Sequence, residues 1–147
     1  MGSTEQNIAV LKRLREMLSR QRDALGAYLS LLENEKASIE RNDTTLLLSQ
    51  VEMERSVIEN LASLRKVIVP LEALYREAYP AAEETVPRLK ASLDAMQKEV
   101  IARNEHNRRL LRERMEELRG EITSLRGWPR EGSPFTEVAP TLVDITT

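Results

Sequence analysis

Apolar residues recur every three or four positions along most of this chain. From about Thr4 to Arg41, Leu11, Leu18, Leu25, Leu32 and Ile39 repeat every seven residues; Ile8, Leu14, Tyr28 and Leu29 widen the stripe, and Arg13, Arg15, Arg20 and Arg22 lie mainly outside it. One apolar face over such a length predicts a long amphipathic helix, about 54 Å from end to end at 1.5 Å per residue. Gly26 falls inside it. A glycine there costs about 1 kcal/mol relative to alanine, which either a tight helix crossing or an incidental surface position accommodates.

Asn42-Asp43-Thr44-Thr45 follows. Such short side chains accept hydrogen bonds from unpaired backbone N–H groups, marking a turn and a new helix start. Leu47, Val51, Ile58, Leu61 and Ile68 form the apolar face of a second helix, interrupted by Glu54 and Arg65. Pro70 lacks an N–H and clashes with the preceding turn, yet Leu71, Leu74, Tyr75 and Ala78 keep helical spacing. This predicts a kink at Pro70 in a rod that returns alongside the first helix. Pro80-Ala81-Ala82 breaks that rod, and Pro87 suits the first turn of a third helix. Val86, Leu89, Leu93, Met96, Val100, Leu111, Leu118, Ile122 and Leu125 carry its apolar face to Arg126, where Gly127 and Pro129 close it. The expected fold is all-α: an elongated up-down-up three-helix bundle, or antiparallel coiled coil, over residues 1–126, with a flexible tail over residues 127–147.

Composition sharpens this picture. More than half of the 147 residues are Ala, Glu, Lys, Leu or Arg, the usage of coiled coils and long bundles. There is no cysteine, which removes disulfides, thiolate metal sites and cysteine nucleophiles. The formal net charge of −2 gives no electrostatic drive toward nucleic acid or anionic lipid. The lone His106 rules out a site that needs two imidazoles, and no glycine run resembles a phosphate cradle. No apolar run approaches the roughly 20 residues that cross a bilayer, and the start of the chain matches neither a signal peptide nor a myristoylation signal. The expectation is a cytoplasmic, soluble protein with protein partners, no metal or other cofactor, no membrane insertion and no catalytic residues.

Several polar positions stand out. Asn104 and Asn107 occupy the third helix's stripe where apolar side chains belong; they read as a polar layer fixing helix register or as partner-recognition groups. The paired carboxylates Glu33 with Glu35, Glu52 with Glu54, and Glu116 with Glu117 read as solvated helix faces, because di-iron bundles require inward Glu-x-x-His repeats and Arg103 stands three before His106. The arginines from Arg103 to Arg130 are interleaved with glutamates, a pattern of ion pairs at helical spacing. Met17, Met53, Met96 and Met115 read as core. The tail holds Trp128 and Phe135, two of the five aromatic residues in the chain.

A long helix followed by Arg41-Asn42-Asp43, then Leu46 to Leu48 and a second Glu-rich helix, resembles the FlgN-type flagellar export chaperones. Asn104-Glu105-His106-Asn107 followed by Arg108-Arg109-Leu110-Leu111 is similar to that family's Asn-x-x-Asn-x-x-Leu-Leu passage. The resemblance covers residues 8–126. It implies a cytoplasmic, ATP-independent chaperone that binds the C-terminal helical segment of hook-associated flagellar proteins, prevents premature assembly and delivers them to the export gate. On this reading Val100, Asn104, Asn107, Leu111 and Leu118 line the client groove. Trp128 and Phe135 contact a FlhA-type export gate component, and the chaperone is a monomer or weak dimer. The same heptads also suit a structural coiled-coil scaffold or adaptor that self-associates. A signalling or metal-binding bundle enzyme would need a buried polar constellation, for which Asn104 with Asn107 is the candidate.

Overall fold

A computed structural model describes residues 2–78 and 84–126. Three helices account for nearly all of them: α1 (Gly2–Glu40), α2 (Thr44–Ala78) and α3 (Thr85–Arg126). The protein is an all-α three-helix bundle.

The reversal between α1 and α2 takes three residues and satisfies both helix ends. Asn42 sits in the left-handed region at φ 56°, which asparagine tolerates better than most side chains. That turn brings Asn42 N–H to the Ile39 carbonyl at 3.1 Å and Asp43 N–H to the Ser38 carbonyl at 2.9 Å, pairing two of the helix's last carbonyls. Asp43 Oδ1 then accepts the Leu46 N–H at 3.1 Å, capping α2. So tight a turn returns α2 antiparallel to α1, as the Tyr28–Glu54 and Ser38–Gln50 pairings confirm.

α2 passes through Pro70 as one helix. Pro70 and Lys66, whose carbonyl loses its donor, are both on the exposed side, where water can replace the missing bond. Pro87 lies in the first turn of α3, as its spacing predicts. The expected break at Pro80-Ala81-Ala82, the closure at Gly127 and Pro129 and the tail over 127–147 lie outside the described residues. Among the described residues, no helix is long and apolar enough to cross a membrane.

α1 is the central element. α2 and α3 each pack along it and barely meet one another, which explains why the apolar stripe of α1 is so wide. Leu14, Met17, Leu18, Leu25, Tyr28 and Leu32 of α1 are buried together with Leu64 and Ile68 of α2 and Val86, Leu93 and Val100 of α3. Each such aliphatic side chain contributes about 1.5–3 kcal/mol through removal from water.

α3 runs parallel to α1 with a constant offset. Arg15 meets Thr85, Gly26 approaches Met96 and Glu33 faces Arg103, so position n of α1 lies beside about n + 70 of α3. Glu40, the end of α1, therefore lies level with about residue 110. The last 15 or so residues of α3 run on past the α1–α2 turn, an overhang of about 22 Å.

Candidate functional site

A band of polar side chains crosses the interior where the three helices meet. Glu35 of α1 and Glu54 of α2 have no solvent exposure, and Ser38, Gln50, Asn104 and Asn107 are also buried. The Tyr28 hydroxyl donates to Glu54 Oε1 at 2.7 Å. Ser38 Oγ donates to Gln50 Oε1 at 2.8 Å, and Asn107 Nδ2 donates to the Leu32 carbonyl at 2.8 Å. These bonds tie both flanking helices to α1 at one level of the bundle.

Two carboxyl groups in one dry site cannot both ionise at ordinary cost. Both Glu35 oxygens and Glu54 Oε2 lack a hydrogen-bond partner among the described residues; a proton on one carboxyl supplies one donor, enough to join the two groups. Burial, then the charge of Glu54 and its hydrogen bond, push Glu35 up to about 8. Burial also raises Glu54, but its hydrogen bonds with Tyr28 and Glu35 and the positive charge of Arg108 act in the opposite direction. Glu35 is thus the member of the pair that holds a proton most readily, while Tyr28, Glu35 and Arg108 on α3 favour charge on Glu54. Burial and the adjacent Glu54 raise the Tyr28 phenol above its usual range, so it stays a donor.

This arrangement corrects one expectation. Two of the three carboxylate pairs are solvated only on one side: Glu33 and Glu52 have side chains 63% and 69% exposed, whereas Glu35 and Glu54 are wholly buried; Glu116 and Glu117 are both exposed, as expected. The buried polar constellation is accordingly larger than Asn104 with Asn107, and it includes charged groups. Glu54 stands at the register of α2's apolar face, and Glu35 lies seven residues after Tyr28 and between Leu32 and Ile39. That spacing was the available signal. Glu35 and Glu54 themselves have no access to solvent, whereas a surface pocket lined in part by Leu32, Arg103, His106 and Asn107 opens at the edge of the layer. Among the described residues no group of three or more His, Asp or Glu side chains is placed to hold a metal.

The residues expected to line a client groove divide into two sets. Val100, Asn104 and Asn107 are buried, and Asn107 is bonded to the α1 backbone, so these positions lie in the α1–α3 seam. Leu111 and Leu118 are partly exposed, with Leu118 on the overhang. Met115 and Ile122 are likewise partly exposed, and Leu125 is 86% exposed. His106 is exposed. Met17 is buried and Met96 packs at the core's edge, but Met53 is largely exposed and does not belong to the core. Arg103 pairs with Glu99 and Arg114 with Glu117, the ion pairs expected of the arginine-rich stretch. Trp128 and Phe135 lie outside the described residues.

No protein-family model matches the chain, and no solved structure matches it. A protein of Treponema pallidum (strain Nichols), described as an uncharacterized protein, is 32% identical over 119 residues, covering 81% of this chain and 77% of that protein.

Proposed function

This chain belongs to the same family as the Treponema pallidum protein, and we propose that it is a cytoplasmic, ATP-independent chaperone of flagellar export. Its client is the C-terminal helical segment of a hook-associated protein, held until it is passed to a FlhA-type gate component. The resemblance to FlgN-type chaperones motivates this reading, and the α3 overhang is the observation that supports it.

Leu111, Met115, Leu118, Ile122 and Leu125 keep three-and-four spacing past the point where α1 ends. An isolated helix of about 15 residues is marginal in water, and an apolar stripe along it favours a helical partner. A client segment with its own apolar face fits that need by helix-to-helix packing. No catalytic group is required. Asn104 and Asn107 act upstream of the overhang, fixing the register of α3 on α1 so that Leu111 and Leu118 are presented at its start. In this proposal Trp128 and Phe135 serve the gate, since aromatic anchors supply much of the energy of small interfaces.

Two variants test the division of labour. Leu118→Glu combined with Ile122→Glu is expected to abolish co-elution with the C-terminal segment of hook-associated proteins while helicity and melting persist. Truncation after Gly132 is expected to preserve client binding and to lose gate binding. Unchanged client binding by the double variant refutes the overhang as the client site, and a loss of client binding on truncation assigns the tail to the groove.

A further inference from the structure

α2 carries a second apolar stripe that no helix covers among the described residues. Leu46, Met53, Val67 and Leu74 are 39%, 56%, 41% and 50% exposed and stand seven or fourteen residues apart, with Asn60 at the middle, third position of the series, between Met53 and Val67. Each lies one residue before a position of the inward row Leu47, Glu54, Leu61, Ile68 and Tyr75, turned from it by about 100°. Glu72, which reaches α3 through Lys90, is turned the other way. The stripe therefore faces the side of the α1–α2 pair opposite α3.

Its order is symmetric. Leu46 and Leu74 lie fourteen residues either side of Asn60, and Met53 and Val67 seven either side. A sequence that reads Leu, Met, Asn, Val, Leu at equal spacing is nearly unchanged when reversed, which is what a two-fold interface between antiparallel helices demands. We propose that this flank of α2 binds the same flank of a second copy of the chain, antiparallel, with Asn60 on the two-fold axis. Met53 then faces the second copy's Val67, and Leu46 its Leu74. A single polar residue in an otherwise apolar seam fixes register at some cost in affinity, and here it sits at the only position that pairs with itself.

The flanking charges agree with this direction. Glu52 and Lys66, both exposed, stand eight before and six after Asn60, so two-fold packing brings each toward the other's copy twice. Glu59 opposes its own copy once. Two attractions against one repulsion favour the antiparallel pair, whereas parallel packing sets each of these residues against its own kind. The stripe spans 28 residues, about 42 Å. A seam of that length and roughly 10 Å width buries about 400 Å² per copy, below the range of stable complexes and in that of transient ones. A weak, reversible dimer is expected, to be sought at chain concentrations of about 10–100 µM. The pairing uses a face other than the α3 overhang and does not depend on the chaperone reading.

The absence of native cysteine makes the test direct. In the full chain, Asn60→Cys is expected to cross-link to itself under mild oxidation at least tenfold faster than Leu46→Cys does. A mixture of Leu46→Cys and Leu74→Cys chains is expected to form the mixed dimer. Sedimentation velocity of the unmodified chain should show dimer appearing across the same concentration range, and Met53→Glu with Val67→Glu should abolish it with helicity unchanged. A chain that stays monomeric through this range, or a Leu46→Cys variant that self-links as fast as Asn60→Cys, overturns the proposal.

Discussion

Replacing Glu35 by Gln removes the proton on which the buried layer depends. In the folded chain Glu35 is raised from 4.5 to about 8, so between these values the folded state holds a proton that the unfolded state has released. The sign follows from linkage: a group that binds protons more tightly when folded stabilises the fold fully below its unfolded pKa, and that contribution is lost as pH rises toward the folded pKa. Each pH unit above 4.5 costs about 1.4 kcal/mol until the folded group itself ionises. At pH 7 the loss is about 3 kcal/mol relative to the acid side, and it approaches 4–5 kcal/mol near pH 8. Glu54, raised by the same burial, adds in the same direction. Urea denaturation followed by circular dichroism, in steps from about pH 5 to about pH 8.5, is the assay. The native chain is expected to lose stability steadily across this window. Glu35→Gln should flatten the profile and exceed the native chain by about 2–3 kcal/mol at the alkaline end, because a neutral amide donates to Glu54 without the cost of protonation. A native profile that rises or stays flat refutes the protonated assignment, as does a slope that survives intact in Glu35→Gln.

Gly120→Ala should raise stability by about 0.5–1 kcal/mol, since a Cβ at this exposed helical position meets nothing within 4 Å; thermal melting checks it. Gly26→Ala should do the same, because its Cβ would stand 3.8 Å from Met96 Cε in ordinary contact. Asn107→Ala removes the 2.8 Å bond to the Leu32 carbonyl inside the seam and should cost about 1–2 kcal/mol, read from denaturant midpoints. A higher melting temperature in that variant would show that the bond only fixes register at a net cost.

Local pattern determined the number of helices, their approximate limits and the turn between the first two. Those features depend on residues within a few positions of one another: the heptads of α1, the Asn42-Asp43 pair that ends one helix and starts the next, and the tolerance of a first turn for Pro87. The same locality explains the continuous helix at Pro70. Apolar spacing persisted across the proline, and an exposed Lys66 carbonyl relieved the expected penalty.

What the linear pattern left open was which helix would be flanked on two sides, and at what offset the third would lie. Seven-residue repeats match at every shift of seven, so the stripe of α3 fits α1 equally well in several registers; the seam containing Leu32, Glu33, Arg103 and Asn107 selects one. That choice creates the overhang beyond Glu40. It also places Arg108 near Glu54, which sits opposite Tyr28 and Glu35, assembling the buried layer from three separate helices. In the sequence Glu35 and Glu54 differ from their solvated neighbours Glu33 and Glu52 only in standing at the register of the apolar stripes, because charge type says nothing of burial. Only the meeting of three helix faces decides which glutamate loses its water, and so which one keeps its proton.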